Sequence, residues 1–76
     1  MPIKKTLADL RNENNMSQKQ LAEKLNISAA AIGMYESGMR TPSLKRAILI
    51  ANIFNIPVEC ISFSNTYSKH KKFNIM

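Results

Sequence analysis

Apolar positions recur along this chain at helical spacing, three and four residues apart, rather than in the alternation of a strand. Leu7, Leu10 and Arg11 share one face and predict a first helix over about 6–14, with Asn14 and Asn15 as its stop, because Asn tolerates the left-handed conformation. A second helix is predicted over 18–25. Ser17 and Gln20 form a capping box at its start, and Leu21, Ala22 and Leu25 form its apolar stripe. A third, over 29–37, has Ser28 as N-cap, the strong helix former Ala29-Ala30-Ala31, inward-facing Ile32 and Tyr35, and Gly38 as terminator. A fourth covers about 43–55. Either Thr41 caps it with Pro42 in the first turn, or Ser43 caps it, and Leu44, Ala47, Ile50, Ala51 and Phe54 suffice for its core stripe. Pro57 opens a short fifth helix through Val58 and Ile61. With two glycines and no Asn-Gly or Asp-Gly turn pair, the expected fold is all-α, with five helices in a domain spanning 1–63 and a basic C-terminal tail over 64–76.

Composition narrows the chemistry. Seventy-six residues suffice for one domain, and a hydrophobic fraction of 45% can form a small core without disulfides or metal. The single Cys60 and single His70 leave no cysteine cluster, no His-rich metal site and no plausible base for a nucleophile. The longest apolar run, Ala47 to Ala51, is far short of the roughly 20 residues a membrane span needs, and the N-terminus lacks the apolar stretch of a signal peptide. The expectation is a non-enzymatic cytoplasmic binding module without cofactor. Eleven Lys and Arg against five Asp and Glu, a net charge of +6, favour a polyanionic partner. Three of the eleven lie in the tail, which has no acid, so half of the excess sits outside the domain predicted over 1–63.

Only Asn26-Ile27-Ser28 separates the second and third helices, which makes a helix-turn-helix. Small Ala22 permits close packing, Asn26 supplies the turn conformation, and Ile27 and Ile32 anchor the pair. Residues 7–61 resemble the lambda-repressor-like (Cro/cI, Xre-type) helix-turn-helix DNA-binding family. The resembling blocks are Leu7-Ala8-Asp9-Leu10-Arg11, Ser17 to Leu25, Ile32 to Gly38, Thr41-Pro42-Ser43-Leu44 and Ala51 to Pro57. They cover about three quarters of the chain without a gap.

The resemblance implies a compact lambda-repressor-like domain that binds double-stranded operator DNA as a homodimer, a transcriptional regulator of phage or mobile-element repressor type. It implies a structural salt bridge between Arg11 and Glu36. It places DNA contacts at Ser17 and Gln18 at the start of helix 2, at Ser28, and at Arg40 and Thr41 after helix 3, with Ala29, Ala30, Gly33 and Met34 in the base-reading positions. None of those four can form the paired hydrogen bonds by which Arg reads guanine or Gln reads adenine. Three readings stay open: recognition through methyl contacts, Gln18, phosphates and DNA shape; DNA binding of low specificity; or a protein contact, as in an antirepressor or antitoxin-like partner of another regulator.

Helix 4 carries more apolar residues than one core stripe uses. Ile48, Leu49 and Ile53, with Val58 and Ile61 nearby, widen its face, and a small monomer rarely exposes such a patch. Leu49, Ile53, Val58 and Ile61 are the expected dimer interface, unless the fifth helix and the tail cover them. Met16 is expected to fill the core and Cys60 to be a small buried residue.

Overall fold

The structure, a computed structural model, describes residues 4–63; the basic tail predicted at 64–76 lies outside the described residues. In chain order come β1 (Lys5–Thr6), α1 (Leu7–Glu13), α2 (Gln18–Leu25), α3 (Ala29–Ser37), α4 (Leu44–Phe54), a 3-10 turn (Val58–Cys60) and β2 (Ile61–Ser62).

Each helix begins at a hydroxyl. Thr6, Ser17, Ser28 and Ser43 are the N-caps, and their side-chain oxygens accept from the backbone N–H groups of Asp9, Gln20, Ala31 and Arg46. These bonds satisfy donors that the first helical turn leaves without partners. At α1 and α2 the box is closed reciprocally, by Asp9 reaching the Thr6 N–H and Gln20 reaching the Ser17 N–H. Of the two starts open for α4, Ser43 is the cap, and Pro42 is buried ahead of it.

Three connections share one device. Asn15, Asn26 and Asn55 take the left-handed conformation, with φ of 54°, 59° and 60°. The next residue in each case (Met16, Ile27, Ile56) returns its N–H to a carbonyl five residues back, on Arg11, Ala22 and Ala51. Those three apolar residues then pack against the core, so one turn both ends a helix and seals it. The end of α3 differs: Gly38, at φ 82°, makes the turn, and the following Met39 is exposed.

The core is built from Leu7, Leu10, Leu21, Ala22, Ile32, Tyr35, Ile50, Ala51 and Ile61, with Met16, Leu25, Ile27, Ile53, Phe54 and Val58 packed around it. No helix among the described residues is long and apolar enough to cross a membrane.

The structure corrects the helix count and the placement of three residues. Among the described residues there are four α-helices, not five: residues 58–60 make a single 3-10 turn, after which Ile61 is extended. The all-α class stands, with one addition that the pattern did not predict: the chain there joins a short parallel pair, Lys5 opposite Ile61 and Thr6 opposite Ser62. Ile61 is therefore part of the core at 5% exposure and not an interface residue, whereas Leu44, assigned to the core, is 70% exposed. Leu44 sits in the first turn of α4, two residues after buried Pro42. Cys60 is only half-buried.

Candidate nucleic-acid interface

The helix-turn-helix is α2, the Asn26-Ile27-Ser28 link and α3, the most extensively packed helix pair among the described residues. A polar network ties it to α1. Arg11 Nε donates to Glu36 Oε2 at 2.6 Å, and Arg11 Nη2 donates to Glu36 Oε1 at 3.2 Å. Arg11 Nη1 donates to the Met16 carbonyl at 2.8 Å, so the loop before α2 is held by the same guanidinium. The pair is largely shielded, with side-chain exposures of 14% and 11%. The hydrogen bond to Glu36 holds the Arg11 guanidinium above its ordinary value; burial opposes this, and the Coulomb attraction of Glu36 adds to it.

Gln18 joins this network: its Nε2 donates to Glu36 Oε1 at 3.0 Å. Sequence reasoning put Gln18 at the start of α2 but did not connect it to Glu36. The two are far apart in the chain, and only the crossing of α2 and α3 brings them together. The Gln18 amide lies opposite Gly33, where an added Cβ would stand 3.9 Å from both amide heteroatoms, an ordinary contact.

The other residues singled out from sequence fall around α3. Ser17 and Ser28 are exposed caps. Each oxygen accepts a backbone N–H, and the hydroxyl proton stays free to donate to an anion at the positive end of a helix. Ala30 and Met34 are exposed and Gly33 is half-buried. Ala29 packs partly against the core, so it presents less surface than the other three. Arg40 and Thr41 are exposed in the loop after α3, and the Arg40 N–H folds that loop back onto the Met34 carbonyl at 3.2 Å.

A second exposed surface lies on α4. Ile48 and Leu49 are 42% and 47% exposed. Leu49 and Ile53 line a shallow groove with Leu25, Lys24, Asn26 and Asn52. Ile53 and Val58 are partly withdrawn against the core.

The comparisons agree with this architecture. The sequence model of the helix-turn-helix family matches residues 7–59. An uncharacterized HTH-type transcriptional regulator of Methanocaldococcus jannaschii is 39% identical over 59 residues, covering 78% of this chain and 89% of the relative. The cryptic phage CTXphi transcriptional repressor RstR of Vibrio cholerae is 34% identical over 78% of this chain and 53% of its own length. The HTH-type transcriptional activator BcrR of Enterococcus faecalis is likewise 34% identical over 78% of the chain, but only 29% of its own length. Against several of its curated relatives the chain thus spans about half their length or less. No solved structure gives a significant match. The capped α2–α3 pair, its tie to α1 and the family match over 7–59 lead to one conclusion: the chain belongs to the lambda-repressor-like, Cro/cI and Xre-type helix-turn-helix family.

Proposed function

We propose that this chain is a sequence-specific transcriptional regulator that binds double-stranded operator DNA with α3 in the major groove, acting in the cytoplasm without a cofactor. The observation that carries this is the helix-turn-helix itself, held at a fixed crossing by the Arg11–Glu36–Gln18 network, within a family match that covers most of the chain. The relatives' names include a transcriptional repressor and a transcriptional activator, so regulation of transcription is what those names share, and operator binding by this chain fits either sign.

In this reading Ser17, Ser28, Arg40 and Thr41 contact phosphates and set register, while Gln18, Ala30, Gly33 and Met34 face the bases. Residues 1–63 form the DNA-binding unit, and the lysine-rich segment 64–76 is separate from it. The exposed apolar face of α4, centred on Leu49 and bordered by Ile53 and Val58, supports a two-fold dimer. Such a dimer presents two α3 helices about 34 Å apart, matching half-sites one helical turn apart.

One observation favours a second reading: the outer face of α3 carries no charge and includes exposed Met34. A protein partner would suit it, on the pattern of an antirepressor. DNA selection at two salt concentrations separates the two. An enriched two-fold motif, with affinity falling steeply as salt rises, supports operator binding. No enriched motif assigns the α3 face to a protein.

A further inference from the structure

The base-reading stretch of α3 has no side chain able to make a directed hydrogen bond to a base, yet a directed amide lies immediately behind it. Glu36 can only accept hydrogen bonds, so the Gln18 amide must turn its nitrogen toward the carboxylate. The orientation is therefore set by chemistry as well as by position, with Nε2 3.0 Å from Glu36 Oε1. Glu36 in turn cannot swing away, because Arg11 grips both of its oxygens and is itself tied to the Met16 carbonyl. One N–H of the amide is used by Glu36. The carbonyl oxygen accepts no hydrogen bond from the described residues, and no buried side-chain polar atom there lacks a partner, so this oxygen is open to solvent; the other N–H makes no second hydrogen bond there. They lie across from the bare Cα of Gly33, both heteroatoms 3.9 Å from the position a Cβ would take. A long side chain at that position would stand between the amide and anything approaching α3; glycine leaves the way open.

We propose that Gln18, on α2, supplies the base-reading group that α3 lacks, gripping an adenine edge through the gap at Gly33. The proposal rests on the operator-binding reading and names the base that this site selects. A carbonyl acceptor beside a free N–H matches the donor N6 and acceptor N7 that adenine shows in the major groove, a pattern no other base presents. The same base pair carries the thymine methyl, and the exposed neighbours Ala30 and Met34 offer apolar surface for it. Gly33 then has a role that its helix propensity argues against: it is the window through which a residue of the preceding helix reads DNA.

The test uses the full chain, Gln18→Met, which keeps length and removes both hydrogen-bonding groups, and Gly33→Leu, which screens the amide from outside while removing none of the network's hydrogen-bonding groups. Thermal melts establish that each variant is folded. Wild type is expected to enrich a motif with an A·T pair at a fixed position of each half-site, and to lose about tenfold or more in affinity when that adenine becomes 7-deazaadenine. Both variants are expected to lose the preference at that one pair, to bind adenine and 7-deazaadenine sites equally, and to keep the rest of the motif and the salt slope. A uniform loss across all sequences would make Gln18 a phosphate contact and overturn the proposal, as would an unchanged motif in either folded variant. Absence of any DNA binding by wild type would instead remove the operator reading, and this proposal with it.

Discussion

The outer faces of α3 and α4 are both uncharged at their centres, yet they are built for different neighbours. On α3 the outward residues are small, Ala30 and Gly33 with Met34 beside them, and a fixed polar network lies directly behind. On α4 they are large and branched, with Ile48 and Leu49 nearly half exposed and Leu49 opening onto a shallow groove that it shares with Leu25, Ile53, Lys24, Asn26 and Asn52. A flat face of small residues lets a rigid surface approach until groups behind it make contact. A face of bulky aliphatics gains only when another apolar surface covers it, at roughly 25 cal/mol per Å² removed from water. Apolarity alone therefore does not classify a surface; side-chain size and what stands behind it do.

The largest expected effect attacks what supports the α3 face. Arg11→Ala leaves the Glu36 carboxylate largely shielded without its cation, and is expected to destabilise the domain by about 3–5 kcal/mol. For a domain of this size each kcal/mol lowers Tm by about 4–8 °C, so an unchanged melting curve would show that the network does not brace α3. A paired replacement of Arg11 and Glu36 by Met is expected to recover much of that loss, because no charge is then left unpaired.

On the α4 side, Leu49→Asp is expected to convert a dimer to monomers in sedimentation while leaving Tm nearly unchanged, since Leu49 is exposed and outside the core. Ile53→Asp is the less clean probe: Ile53 packs partly against the core, so it should lower both association and stability. Identical sedimentation of wild type and Leu49→Asp would withdraw α4 as the interface.

Smaller effects refine the α3 side. Ser28→Ala removes the cap of α3 and should cost about 1 kcal/mol. It should also weaken DNA binding evenly across sequences if Ser28 meets a phosphate; a change confined to one base pair would give it a reading role instead. Gly33→Ala is expected to raise stability by up to about 1 kcal/mol, because the new Cβ makes only an ordinary contact with Gln18 and glycine is a poor helix former. A destabilised Gly33→Ala would mean that the packing between α2 and α3 is tighter than 3.9 Å implies.

Helix positions were legible in the sequence because their determinants are local. A hydroxyl three residues before the N–H it accepts, and an Asn or Gly just past the last turn, act within a few residues whatever the rest of the chain does. Ser17, Ser28, Asn26 and Gly38 were readable for that reason. The Thr6–Asp9 box is equally local, with Asp in place of the more familiar Glu or Gln. The strand pair was not legible: two residues carry no periodicity, and their partners lie at opposite ends of the domain.

The sequence by itself therefore determined where α2 and α3 start and stop, the approximate spans of α1 and α4, that α2 and α3 form a helix-turn-helix, and which family the chain resembles. Only the tertiary structure decided which apolar residues are inside. Leu44 and Ile61 exchanged their expected places because helical phase gives a direction but not what stands in that direction: buried Pro42 precedes Leu44, and β1 pairs with Ile61. It also decided that Gln18, Glu36 and Gly33 meet, since their separation is set by how two helices cross. Hydrogen bonds within one turn are fixed by backbone geometry, whereas contacts between helices depend on packing that no single segment specifies.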